Sequence, residues 1–142
     1  CAPRLLVMED VLRTVLGVPI RHSPVPGAIG RNNGANDASQ HNVDWYGEVR
    51  AVDFFVDGVH TREDAKWVVD TMNMLGWTGI GVYPHWRNGQ GEQQVGFHGD
   101  VRHNNVPGNP ATWGMIDRDP QRQVSIEEAL NQVGTQPATE EL

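Results

Sequence analysis

A single cysteine, Cys1, stands among the 142 residues. It excludes an internal disulfide and leaves no set of thiolates to hold a metal. No apolar run approaches the ~18 residues that cross a bilayer, and no stretch reads as a signal peptide. Basic residues are scarce: 11 Lys and Arg stand against 18 Asp and Glu, for a net charge of −7. Nucleic acid as the main partner is therefore unexpected, because phosphate binding needs a basic face. There are no internal repeats. Any bound metal must be held by histidine and carboxylate, and the chain has six histidines.

What is present suits one soluble domain with a real core. Hydrophobic residues make up 38% and charged residues 20%, while 16 Gly and 9 Pro imply many turns. Residues 3–16 read as a helix, with Pro3 in the first turn, Leu5, Met8, Leu12, Val15 and Leu16 at helical spacing, and Gly17 as the stop. Val18–His22 is a short strand candidate, and residues 23–40 carry loop chemistry. Val49–Val56 is β-branched and aromatic and reads as a buried strand, with Asp57-Gly58 as a turn. Thr61-Arg62-Glu63-Asp64 resembles a capping box. It opens a helix whose apolar face is Ala65, Val68, Val69, Met72 and Leu75, ended by Gly76. Thr78–Tyr83 and Val95–Arg102 read as strands of one hairpin, and Ser125 caps a helix to about Val133. The expected class is α+β: a small antiparallel sheet flanked by helices. A main domain over residues 1–120 is expected, followed over 121–142 by a C-terminal helix and a tail or linker.

Two stretches carry the chemistry. Asp53 lies in a run of apolar neighbours, where a carboxylate is costly unless paired or metal-bound. Pairing with Arg50 or a loop amide is the plain alternative. His98 and Asp100, two apart on a strand, share one face with Arg102, while Phe97 and Val101 share the other. With His41, these residues suggest a site of two His and one Asp with room for a water, as a catalytic zinc needs.

The motifs, in order, resemble those of the LAS zinc peptidases: D-Ala-D-Ala carboxypeptidases, phage L-alanyl-D-glutamate endopeptidases and their relatives. The resemblance covers most of residues 4–114. It rests on Gly17-Val18-Pro19-Ile20-Arg21-His22-Ser23-Pro24, on Asn33-Gly34-Ala35-Asn36, and on Ser39-Gln40-His41 with Gly47, Ala51 and Asp53. It continues in Gly79-Ile80-Gly81-Val82-Tyr83, in Phe97-His98-Gly99-Asp100-Val101-Arg102 (one residue shorter than the family's phrase), and in Ala111-Thr112-Trp113-Gly114. The resemblance implies a hedgehog/D-Ala-D-Ala-peptidase-like fold and a Zn²⁺ held by His41, Asp53 and His98. It also implies a carboxylate near the last ligand as base, for which Asp100 is the candidate and Glu92 is more distant. Arg21 is expected to hold a substrate carboxylate, with Arg31 and Arg102 as alternatives. A second register, Asp100-Val101-Arg102-His103, makes His103 the ligand instead of His98. Eleven residues, Asn42 to Val52, separate His41 from Asp53, a longer gap than the family's. Trp45, Tyr46, His85 and Trp86 are candidate walls for a peptide, and His22 and His60 read as structural.

The implied activity is hydrolysis of peptidoglycan stem peptides by metal-activated water. The implied setting is the periplasm or cell wall, with a phage or prophage origin. The partners are expected to be the peptide substrate, with no membrane span and no nucleic acid. The protein would act as a monomer or as part of a larger viral assembly. A catalytically degenerate structural or wall-binding module on the same fold is the competing class, since fold does not guarantee function.

Overall fold

Pro3 pre-sets the first turn of helix α1 (Pro3–Leu16), and Gly17 closes it in the left-handed region at φ 71°, its N–H donating to the Arg13 carbonyl. The structure, a computed structural model, describes residues 2–24, 28–30, 38–42 and 48–138. Leu5, Leu12 and Leu16 turn inward as expected, but Val15 faces out and Glu9 takes a place on the buried stripe. Glu9 is accommodated there because the His22 ring meets its carboxylate in a close hydrogen bond. His22 is thus structural, as expected.

Strand β1 (Ile20–His22) leads to β2 (Ala51–Val56). Helix α2 (Arg62–Met74) starts where the Thr61 hydroxyl accepts from the Asp64 N–H, and it buries Ala65, Val68, Thr71 and Met72. Strands β3 (Gly79–Tyr83) and β4 (Gly96–Asp100) form the expected antiparallel hairpin, with Gly81 opposite His98. Two further strands, β5 (Ala111–Ile116) and β6 (Arg122–Val124), were not legible in the sequence. Pro110 and Gly114 interrupt the β pattern of the first, and the second is three residues, two of them polar. Helix α3 (Ile126–Asn131) follows, its Ser125 hydroxyl accepting from the Glu128 N–H. Residues 122–131 therefore complete the sheet and lie against it, with Ala129 buried beside Gly114.

The result is an α+β fold: one six-stranded sheet in the order β1-β2-β4-β3-β5-β6, flanked by three helices. All pairings are antiparallel except β3 with β5. Because side chains alternate along a strand, the sheet has two different faces. Val52, Phe54 and Val56 of β2, Ile80 and Val82 of β3 and Phe97 of β4 are all at most 1% exposed and join the helices in one core. Phe54 and Phe97 stack across the strands with ring centroids 5.8 Å apart. Two glycines let this face close: a Cβ on Gly99 would lie 2.5 Å from the Trp77 ring, and one on Gly114 would lie 2.2 Å from the Ala129 Cβ. The other face carries Asp53, Phe55, His98, Asp100, Tyr83, Trp113 and Met115. No helix among the described residues is long and apolar enough to cross a membrane.

Candidate metal centre

The register of the sheet builds most of the site. Asp53 on β2 lies directly opposite His98 on β4, so their side chains leave the same face side by side. His41 arrives from the chain before the strand. A turn at residues 39–42, closed by Asn42 N–H to Ser39 O, is tied to the entry of β2 by Arg50 N–H to Gln40 O, both 2.9 Å. The eleven-residue gap therefore does not hold His41 away from Asp53. Residues 43–47, with Trp45 and Tyr46, lie outside the described residues, as do Arg31 and Asn33 to Asn36.

Three donor atoms meet. His98 Nδ1 is 3.0 Å from Asp53 Oδ1 and 3.3 Å from His41 Nε2, and His41 Nε2 is 3.3 Å from Asp53 Oδ1. The group His41, Asp53 and His98 can hold a metal ion. The far side of each ring decides what it offers. His41 Nδ1 lies 3.3 Å from the Ile29 carbonyl, which can only accept, so Nδ1 carries the proton and Nε2 presents a lone pair. His98 Nε2 lies 2.7 Å from Asp100 Oδ2 and donates to it, leaving Nδ1 to face the group. Two ring lone pairs and a carboxylate oxygen thus converge, an arrangement that calls for positive charge at its centre.

Electrostatics agree. Burial works to raise the Asp53 pKa, but its contacts with the His41 and His98 rings outweigh it and hold the carboxyl below its ordinary value. Burial works to lower the His98 pKa, but Asp100 and then Asp53 outweigh it and raise it. Both shifts say that this spot favours a cation.

Asp100 is fully buried and does not line the cavity beside the three donors. Arg102 grips it with Nε to Oδ1 at 2.8 Å and Nη2 to Oδ2 at 2.6 Å, and the Arg102 N–H adds a third bond at 3.2 Å. Burial would raise its pKa, yet Arg102 and then His98 hold it well below the carboxylate range. Room for it comes from Gly79, where a Cβ would lie 2.1 Å from both carboxylate oxygens. The expectation of Asp100 as the base that takes a water's proton does not survive this geometry. Both oxygens are occupied, and the group resists protonation.

Arg21 also lies elsewhere. It is exposed, makes a two-pronged pair with Asp57 at 2.8 and 3.0 Å, and lines a separate cavity. Arg102 does line the site's cavity, with its guanidinium 5.1 Å above the Trp113 ring. His103 is exposed on the loop after β4 and is not in the donor group, so the first register, with His98, is the one the fold assembles. His85 is buried in a different cluster, accepting from the Asp117 N–H and bonded to Thr135.

The cavity has a volume of about 460 Å³ and runs from the donors towards β5 and β6. Trp113 packs 4.8 Å from the His98 ring, and Trp86 stacks on Tyr83 at 4.1 Å. Trp86 lies flat because the strand beneath it is Gly96, where a Cβ would come within 2.3 Å of its ring. Gln121 and Gln123 line the far end. The sequence gives no sign that Gln121 and Gln123 line the cavity, since they lie on or beside β6, a strand with no local β signal. No family model, no curated protein and no solved structure matches this chain.

Proposed function

We propose that the protein is a zinc-dependent peptidase of the LAS type that hydrolyses peptidoglycan stem peptides. One observation carries the reading: two histidine nitrogens and one carboxylate oxygen form a triangle 3.0–3.3 Å on a side with their lone pairs pointing inward. A tetrahedral ion with ligands at about 2.0–2.1 Å places neighbouring donors about 3.3 Å apart, and two imidazoles with one carboxylate suit zinc better than calcium or magnesium. Zinc so held would polarise a scissile carbonyl and make bound water acidic.

The chain's own residues divide the remaining work. His41, Asp53 and His98 would hold the ion. Asp100 fixes the tautomer and tilt of the His98 ring, and Arg102 and Gly79 fix Asp100; such outer partners are worth about 10–100-fold in metal affinity. Trp86, Tyr83 and Trp113 offer flat walls to a peptide, and Gln121 and Gln123 offer amides to its backbone.

A second reading, a metal-bearing module without hydrolytic activity, is favoured by one observation. Among the described residues that line the cavity, Asp53 supplies the carboxylate, and it is a ligand. Two measurements separate the readings. Zinc titration of the metal-free protein should give one equivalent bound. Digestion of purified peptidoglycan with the zinc-loaded protein should then release cleaved stem peptides, detected by mass spectrometry. One bound zinc without cleavage would favour the second reading, and no bound zinc would remove both.

A further inference from the structure

Tyr83 is the last residue of β3 and sits on the face of the sheet that carries the donor group. Its hydroxyl is held from one side: Trp113 Nε1–H donates to the Tyr83 oxygen at 2.9 Å. A phenol has one proton of its own to give. Among the described residues nothing accepts it, although Tyr83 is only 8% exposed. Tyr83 lines the cavity beside the donor group, so a ligand bound there can accept that proton.

The position of that hydroxyl is set by a gap in the sheet surface. A Cβ on Gly81 would lie 3.1 Å from the Tyr83 oxygen and 2.9 Å from Trp113 Nε1, so both groups rest above this residue. Gly81 is the register partner of His98. The phenol oxygen therefore rests above the residue that pairs with the metal-binding His98 across the β3–β4 ladder, on the same face of the sheet. The Tyr83 ring cannot easily turn away, because it lies parallel to Trp86 with an interplanar angle of 1°. Burial, and then the Asp53 carboxylate, push the phenol's pKa up, so the group keeps its proton and serves as a donor and not as a base.

We propose that Tyr83 is a catalytic residue whose hydroxyl donates a hydrogen bond to the oxygen of the amide carbonyl under attack. This rests on the metallopeptidase reading above. As the water oxygen adds to the carbonyl carbon, the π pair moves onto the carbonyl oxygen, which becomes negative. Tyr83 stabilises that charge without giving up its proton. When the carbon–nitrogen bond breaks, the pair returns to re-form the carbonyl, and the leaving nitrogen takes the proton that the water released. Removing one such donor costs about 10²–10³ in kcat in enzymes that use one.

The test uses the zinc-loaded protein and a phosphinic dipeptide, Ala-Ψ[PO₂-CH₂]-Ala, whose phosphinyl oxygen stands in for the charged carbonyl oxygen. Zinc affinity is measured separately by competition with a chromogenic chelator. Tyr83→Phe keeps the ring on Trp86 and should bind zinc within about twofold of wild type, yet bind the phosphinate about 10- to 100-fold more weakly. Trp113→Phe, which frees the phenol from its anchor but leaves the donor, should show a smaller loss. Equal phosphinate affinity in wild type and Tyr83→Phe, with zinc retained in both, would overturn the role of Tyr83 and leave the metal centre standing. Failure of the wild type to hold zinc would overturn both together.

Discussion

The two faces of the sheet are made by alternate residues of the same strands, yet they do opposite things. On the helix-covered face Val52, Phe54 and Val56 are dry and interlocked with α1 and α2. On the open face, Asp53 and Phe55 stand between them in sequence and border a cavity or its aromatic wall. The covered face gains stability from the area it removes from water, roughly 25 cal/mol per Å². The open face holds charged groups whose cost is met by pairing, Asp100 with Arg102 and His98, and a phenol, Tyr83, held by Trp113 on its acceptor side alone. Glycine serves both faces differently. Gly99 and Gly114 admit Trp77 and Ala129 to the core, whereas Gly79, Gly81 and Gly96 clear space for Asp100, Trp113 and Trp86. A period of two therefore separates what folds the protein from what equips it.

Neighbouring residues on opposite faces give the strongest test of that division. Asp53→Ala should abolish stoichiometric zinc binding in calorimetric titration while the metal-free protein remains folded by circular dichroism. Phe54→Ala should do the reverse, costing about 3–5 kcal/mol in denaturant unfolding while any folded fraction still takes up zinc. Loss of zinc binding by folded Phe54→Ala protein would break the comparison.

Asp100→Asn should blur it, because this residue is buried like a core residue but serves the site. Zinc affinity should fall about 10–100-fold. Its carboxyl pKa is held below the ordinary value. Asp100 therefore contributes stability to the metal-free wild type that is complete above about pH 4 and is lost as pH falls further. Acid unfolding followed by fluorescence should accordingly be steeper in wild type than in Asp100→Asn, and identical profiles would remove Asp100 from the pairing described. The smallest effect belongs to Arg21→Ala. Its partner is the half-exposed Asp57, which lines a different cavity from the donor group, so zinc affinity and melting temperature should both stay at wild-type values. A fall in zinc affinity would return Arg21 to the site.

Much of the fold was legible because its signals are local. The caps at Thr61 and Ser125, the stop at Gly17 and the spacing of Leu5, Leu12 and Leu16 each act within a few residues. Val15 faces out while Glu9 takes a buried place beside His22, a contact thirteen residues apart in sequence that helical spacing alone does not reveal. β5 and β6 were missed because their residues are strand-like only beside β3. In the site, the shared face of His98 and Asp100 follows from strand alternation alone, and the apolar surroundings of Asp53 marked it as a residue needing a partner.

The sequence by itself determined the class of fold, the helix ends, and which side chains of a strand point together, because periodicity and capping depend on covalent neighbours. Tertiary structure decided the rest. The β2–β4 register set Asp53 opposite His98, one hydrogen bond from Arg50 to Gln40 tied in the turn that carries His41, and the grip of Arg102 turned Asp100 from a candidate base into a support for His98. Lone pairs converge through contacts between distant parts of a chain, and no spacing along the chain encodes them.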